Sequence, residues 1–289
     1  MATGRVIRAI SGFFDVNDGE VTRRCRARGV FKKQGVTVLV GDIVEYEPMG
    51  SQEGVVVSVH PRSSELVRPP IANTDHALVV FSFVTPDLTP LMLDKTITSV
   101  LIAGVKPSIV FTKADLAEPS FVEAVSSLYR KCGFQTLAIS AKQGEGVEQV
   151  RTLMQGRINV FAGPSGAGKS TLANAVAPGL KLQMGAVSEK IGRGRQTTRH
   201  VELFQLDHET WLADAPGFSQ LQLSVPAREL GTFFPEFQKV NCAYRGCSHL
   251  DEEGCAVRAS VERGEIAQSR YDSYQQMYHE IREREENMY

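Results

Sequence analysis

The octapeptide "GPSGAGKS", Gly163 to Ser170, constrains this chain more than any other stretch, because it fits G-x-x-x-x-G-K-[ST], follows the apolar run "INVF" and precedes "TLANAV". That context demands a strand, a glycine-rich turn and a helix, hence a layered α/β domain. The glycines let backbone N–H groups wrap a β-phosphate, Lys169 neutralises β- and γ-phosphate charge, and the Ser170 hydroxyl is a Mg²⁺ ligand. Gly163, Pro164, Ser165, Gly166, Ala167, Gly168, Lys169, Ser170 and Thr171 are the expected phosphate-binding residues, with Lys169 serving catalysis as well.

The base-reading residues decide between adenine and guanine. "SIVFTKADLA", residues 108 to 117, ends a run of β-formers in Thr112-Lys113-Ala114-Asp115. The Asp115 carboxylate can accept from the ring N–H and exocyclic amine of guanine, a pattern adenine does not supply, while the Lys113 stem lies along base and ribose. Ser140-Ala141-Lys142 closes the strand "TLAI" and offers a backbone N–H to guanine O6. These motifs fall at the ends of successive strands, where α/β sheets bind ligands, so GTP is the expected nucleotide.

Asp214-Ala215-Pro216-Gly217 has the D-x-x-G form that positions Mg²⁺ through water and senses the γ-phosphate through the Gly217 N–H. Thr197-Thr198 falls between the two elements, and Thr198, 28 residues after Ser170, is the expected switch ligand to Mg²⁺. The order TKAD, SAK, phosphate loop, Thr-Thr, DAPG is the usual GTPase order cyclically rotated. Sheet packing, not chain order, holds such loops together, and permutation is tolerated where termini lie close at the surface.

Residues 1–68 read as short alternating strands with turn signals, a small β-barrel. After the Asn17-Asp18-Gly19 turn, a period of two places Arg24, Arg26 and Arg28 on one face, with Arg23, Lys32 and Lys33 nearby and no acid between 21 and 41. The face is basic enough to attract the phosphates of RNA, although a merely solvated barrel face has the same pattern. "HPRSSELVRPPIANTD", residues 60 to 75, carries three prolines and little periodicity and reads as a linker. Strand and helix then alternate through 69–222, which predicts a parallel sheet covered on both faces, with one helix from Pro119 to Gly133.

Residues 223–289 turn helical. Cys242, Cys247, His249 and Cys255 form C-x4-C-x-H-x5-C, a full tetrahedral set for one structural Zn²⁺. Cys25 and Cys132 read as small buried residues. Tyr271, Tyr274, Met277, Tyr278 and Ile281 recur at helical spacing, which fits packing or, alternatively, RNA stacking. Across 289 residues, 32 basic and 33 acidic side chains nearly cancel, so nucleic-acid affinity must come from local clusters. No apolar stretch approaches the ~18 residues of a membrane span and no signal-peptide pattern opens the chain, so a cytoplasmic protein is expected; a monomer is the expected state, although the sequence does not determine it.

In the order of TKAD, SAK, GPSGAGKS and DAPG, with a barrel before and a cysteine cluster after, the whole chain resembles the circularly permuted GTPases of the RsgA (YjeQ/YloQ) family. The resemblance implies an OB-fold-like barrel, a permuted P-loop GTPase domain and a mainly helical zinc domain. It implies slow GTP hydrolysis, stimulated by the small ribosomal subunit and coupled to rRNA binding and release in late subunit maturation. Thr112 stands where many GTPases have Asn, and Phe218 where many place a water-orienting glutamine. Gln196 occupies the position of a histidine that some family members use, leaving Gln196 or His200 as the water-orienting group. Two other readings stay open: an RNA-binding assembly scaffold, and a GTPase acting on another RNA or on a protein. The basic residues Lys190, Arg193, Arg195 and Arg199 fit RNA or nucleotide phosphates equally.

Overall fold

The computed structural model describes residues 1–29, 31, 35–67, 70–178, 201–214 and 223–287. Strands β1 (Ala2–Ile10), β2 (Phe13–Asn17), β3 (Thr22–Ala27), β4 (Ile43–Met49) and β5 (Glu53–Val59) close into a barrel, because β1 pairs with both β2 and β4 while β3 pairs with β5. The alternation in the sequence sends Val6, Val16, Cys25, Val44, Tyr46 and Val56 inward to form its core.

The stretch read above as an irregular linker contains a short antiparallel ribbon instead. Strand β6 (Glu65–Val67) pairs with β7 (Pro70–Ala72). Leu66 and Ile71 are directly opposed and both are buried, so tertiary burial outweighs the turn-rich composition. Around it Arg62 grips the fully buried Asp42 at 2.8 and 2.9 Å, and Asn73 Nδ2 donates to Gly41 O at 3.1 Å.

The α/β unit comprises β8 (His76–Ser82), α1 (Pro90–Ile102), β9 (Lys106–Thr112), α2 (Pro119–Lys131), β10 (Gln135–Ala138), α3 (Val147–Met154), β11 (Ile158–Ala162), α4 (Lys169–Val176), β12 (Glu202–Gln205) and β13 (Trp211–Asp214). Its strand order is β10-β9-β8-β11-β13-β12, parallel except for β12. Every residue of β8 is buried, because helices cover both faces: Ala77, Val79 and Phe81 enter one apolar core, and Leu78 and Val80 enter the other. The polar members of these strands satisfy one another, His76 bridging Asn159 and Ser108 at 2.8 Å each. Helix α2 starts at Pro119 as predicted and gives way to Gly133 at φ 102°.

Strand β12 also pairs with β1, so barrel and α/β unit share one continuous sheet. The C-terminal segment packs short 3₁₀ turns (Ala227–Phe233, Phe237–Lys239) against helices α5 (Ala256–Glu262) and α6 (Gln268–Glu286). Its core takes Leu230, Phe234, Phe237, Tyr274, Met277 and Ile281, which accounts for the helical spacing of the α6 aromatics by packing. Among the described residues no helix is long and apolar enough to cross a membrane.

Gly41 sits where the barrel meets the ribbon at φ 93°, and a Cβ there would fall on the Ala72 carbonyl. Gly41→Ala is expected to lower unfolding stability by about 1–3 kcal/mol, read as a shifted urea midpoint; an unchanged midpoint would contradict this account of the junction.

Candidate nucleotide site and metal cluster

The strand order puts β9 beside β8 and β8 beside β11, so the loops after β9 and β11 meet at one edge of the sheet although about fifty residues separate them. Thr112 ends β9 at 2% exposure, and its Oγ1 donates to Ala167 O in the glycine loop at 2.6 Å. Lys113 follows in a left-handed conformation (φ 57°), and its ammonium reaches Gly166 O at 3.1 Å and the Thr85 carbonyl. Ala114 N donates to Ile139 O at 3.1 Å, tying this loop to the end of β10. Asp115 is exposed and accepts from Gln143 Nε2 at 3.4 Å. Ser140 is buried, with Glu145 closing the turn through reciprocal backbone bonds of 3.0 Å, while Ala141 is half-buried and Lys142 exposed.

In the phosphate loop Gly163, Gly166 and Gly168 take φ values of 138°, 80° and 89°. A Cβ on Gly163 would collide with the Val80 carbonyl, and one on Gly168 would lie 3.3 Å from Thr112 Oγ1, so the backbone is pressed onto β8 and β9. Lys169 Nζ donates to Gly163 O at 2.8 Å and Pro164 O at 2.6 Å, and burial pushes its pKa down. Such a partly desolvated ammonium among carbonyls is suited to a phosphate oxygen. Ser165 is exposed, Pro164 and Ser170 are half-buried, and Thr171 is exposed in the first turn of α4. No side chain caps α4 at its N-cap Gly168, which leaves the first-turn amides to an anion. The loop thus fits phosphate, with Ser170 at the place from which a hydroxyl would hold Mg²⁺.

Asp214 closes β13 beside β11; its side chain is outside the described set. Thr197, Thr198, Gln196, His200, Gly217, Phe218 and the basic residues Lys190, Arg193, Arg195 and Arg199 also lie outside the described residues. Two participants escaped the sequence reading. Thr85 acts through its carbonyl, which leaves no trace in residue type, and Gln143 directly follows the SAK triplet and is visible only once Asp115 is seen beside it.

The ligand atoms of Cys242, Cys247, His249 and Cys255 all lie within 4.8 Å of one another. Cys242 Sγ is 3.5 Å and Cys255 Sγ 3.6 Å from His249 Nδ1, and the two sulfurs are 3.9 Å apart. That is close to the ~3.8 Å edge of a tetrahedron with 2.3 Å Zn–S bonds, so the set fits Zn²⁺. The chain around it is held from outside. Tyr271 and Tyr274 hydroxyls donate to His249 O and Ser248 O at 2.7 and 2.6 Å, and the Glu252 carboxylate accepts from Ser248 N and Leu250 N. Burial opposes ionisation of Glu252, yet those hydrogen bonds hold its pKa at about 2.

On the barrel, the exposed Arg24 and Arg26 set their guanidinium groups 4.5 and 4.7 Å from the Phe13 ring centroid. The other two arginines are engaged within the barrel: Arg28 chelates Glu47 at 2.9 Å, and Arg23 Nη1 meets Asp18 at 2.6 Å and the Tyr46 hydroxyl at 2.8 Å. Lys32 and Lys33 lie outside the described residues.

A phosphate loop after β11 and a second loop after β9, joined across the end of β8 and in rotated chain order, define a circularly permuted P-loop nucleotide-binding domain. A family model described as the RsgA GTPase matches residues 59–224, and one described as the RsgA N-terminal domain matches residues 3–56. Two proteins named small ribosomal subunit biogenesis GTPase RsgA are similar over nearly the whole chain. The one from Caldanaerobacter subterraneus subsp. tengcongensis is 40% identical, covering 99% of this chain and 98% of its own length. The one from Bacillus anthracis is 41% identical, covering 98% and 99%. The crystal structure of YjeQ from Thermotoga maritima superposes with a TM-score of 0.86 at 33% identity, over 97% of this chain and 98% of that one. YloQ, described as a circularly permuted GTPase, does so at 0.84 and 37%, over 98% and 96%. The chain belongs to the RsgA GTPase family. It is accordingly a GTP hydrolase, with GTP and GDP as nucleotides and Mg²⁺ as their metal.

Thr112→Val keeps the shape and removes the donor to Ala167 O. GDP affinity is expected to fall about tenfold, the equivalent of one hydrogen bond, with the preference for GDP over ADP retained. Titration with fluorescent analogues of both nucleotides reads this, and unaltered GDP affinity would show that the hydroxyl does not brace the loop.

Proposed function

We propose that this chain binds the small ribosomal subunit and hydrolyses GTP to GDP and phosphate during late maturation of that subunit, with nucleotide state governing its grip on rRNA. The observation that carries the reading is the joining of Thr112 and Lys113 to Ala167 and Gly166, which makes one pocket of the base loop and the phosphate loop. In this reading the barrel spans 1–68, the GTPase domain 69–222 and the zinc domain 223–289. The names of the relatives, small ribosomal subunit biogenesis GTPase, support the choice of partner.

Asp115 selects guanine, Lys113 lies along base and ribose, the Ser140–Lys142 turn meets O6, and residues Gly163 to Thr171 hold the phosphates. Ser170 and Thr198 would hold Mg²⁺, which supplies neutralisation of the β- and γ-phosphate oxygens when bound. Lys169 stabilises the same charge from the protein side, while Asp214 and Gly217 report the γ-phosphate. Phe218 has no polar group with which to orient water, so Gln196 or His200 does so when the subunit arranges it, and hydrolysis by the free protein is slow. One Zn²⁺ on Cys242, Cys247, His249 and Cys255 staples the C-terminal loop and takes no part in the reaction. The Arg24–Phe13–Arg26 stack offers two forked cations and a ring face to RNA. The protein acts as a cytoplasmic monomer.

The test is single-turnover GTP hydrolysis with and without purified small subunits across a salt series. Stimulation that declines steeply as salt rises is expected, and equal rates with and without subunits would refute the proposal. Replacing Arg24 and Arg26 together by Ala should weaken subunit binding and reduce its salt slope by about 2, leaving unstimulated hydrolysis unchanged. Cys247→Ser is expected to reduce zinc from one equivalent to near zero by elemental analysis; undiminished zinc would reject the ligand assignment.

A further inference from the structure

The buried charges at the foot of α6 belong to neither site. Arg270, at 1% exposure, places Nη1 2.6 Å from Asp94 Oδ1 on α1 and Nε 2.7 Å from Glu236 Oε1, while the Tyr129 hydroxyl of α2 donates to the same Asp94 oxygen at 2.9 Å. Phe234 covers the guanidinium face, its ring centroid 4.5 Å away. Asp94 is fully buried and Glu236 nearly so. Burying three charges is a poor way to add stability, since desolvation consumes most of the attraction, and Arg270 Nη2 has no partner among the described residues. Such a cluster is well suited to fixing where one element sits on another. Breaking it leaves a carboxylate stranded in an apolar interface.

The element so fixed is α1. Leu91 and Ile102, near its two ends, pack into the C-terminal core, and Lys95 pairs with Glu280 of α6. Helix α1 grows directly out of loop 83–89, where the Ser82 hydroxyl is bonded to the carbonyls of Val84 and Pro86 and Leu93 N donates to Thr89 O. In that loop the Thr85 carbonyl holds the Lys113 ammonium, and Lys113 also bonds Gly166 O. Two sets of hydrogen bonds, connected by the backbone of α1, thus link Arg270 to the Lys113 side of the pocket.

We propose that Arg270 is a positioning residue for the nucleotide site: by holding Asp94 it seats α1 and with it loop 83–89, so that docking of the C-terminal module sets guanine-nucleotide affinity. The inference rests on the nucleotide reading above and adds to it a distant determinant. Linkage makes the effect reciprocal, so nucleotide binding must tighten the docking of α6 by the same factor.

Full-length Arg270→Gln, titrated with fluorescent GDP well below its melting temperature, is expected to bind about tenfold more weakly, within the usual range of couplings between sites. Lys95→Ala breaks the more exposed pair at the same interface and is expected to stay within about twofold of wild type, because such pairs contribute little. Hydrogen exchange supplies a readout that a purely structural role would not move. In the wild type, GDP should slow exchange in α1 and in the first turns of α6, whereas ADP should not. In Arg270→Gln, GDP should no longer protect α6. Wild-type affinity in Arg270→Gln, or α6 exchange in the wild type indifferent to GDP, would overturn the proposal; the second arm decides alone if the variant does not fold. A wild type that binds GDP no better than ADP would instead refute the nucleotide reading, and this inference with it.

Discussion

The hydrogen bond from Thr112 Oγ1 to Ala167 O, 2.6 Å long and buried, is the contact on which the site depends. It joins the loop after β9 to the loop after β11 across the end of β8, and it exists because three parallel strands carry their loops to one edge. The chain meets these strands in a rotated order. Pairing between strands is indifferent to which of them is synthesised first, so rotation leaves the pocket intact and changes only what each loop leads into. Here the segment after Asp214 leads to the metal module.

Both flanking domains make contact with the nucleotide unit through ordered structure. The barrel extends the sheet through β1 and β12, with Arg8 facing Glu202 in register. β12 lies between the segment that holds Thr198 and the strand that ends at Asp214. The C-terminal module meets the α/β unit through helix α1, which packs on β8 and β9, using an apolar seat and a buried ionic cluster. Interfaces that include fully buried charges tolerate little displacement, because any gap exposes an unpaired ion to an apolar wall. The three parts therefore form a unit in which the nucleotide pocket is braced from two sides.

Reading residues in order recovered most elements and missed some neighbours. The limits of α2 were legible because Pro119 and Gly133 act locally, through a fixed φ and a left-handed cap. The ribbon of β6 and β7 was not, since its prolines and short strands look irregular until Leu66 and Ile71 find an apolar surface. Of the arginines read as one basic face, Arg28 turned out to be neutralised by Glu47, a residue 19 positions away, which no local pattern reveals. At position 112, where many GTPases have Asn, the Thr hydroxyl on the buried strand end reaches the phosphate loop at Ala167 O, a contact that residue type alone does not reveal.

The order and spacing of the motifs alone marked out a phosphate loop, a candidate base-reading loop and four residues that could hold a metal, since each is a short segment whose chemistry is carried by its own residue types and turns. Folding alone decided which distant groups support them: the Thr85 carbonyl under Lys113, Gln143 beside Asp115, and Arg270 against Asp94 across 176 residues. Those partners are chosen by burial and by the path of the sheet, and a pairwise electrostatic contact leaves no mark on the sequence until the two ends are brought within a few ångströms of each other.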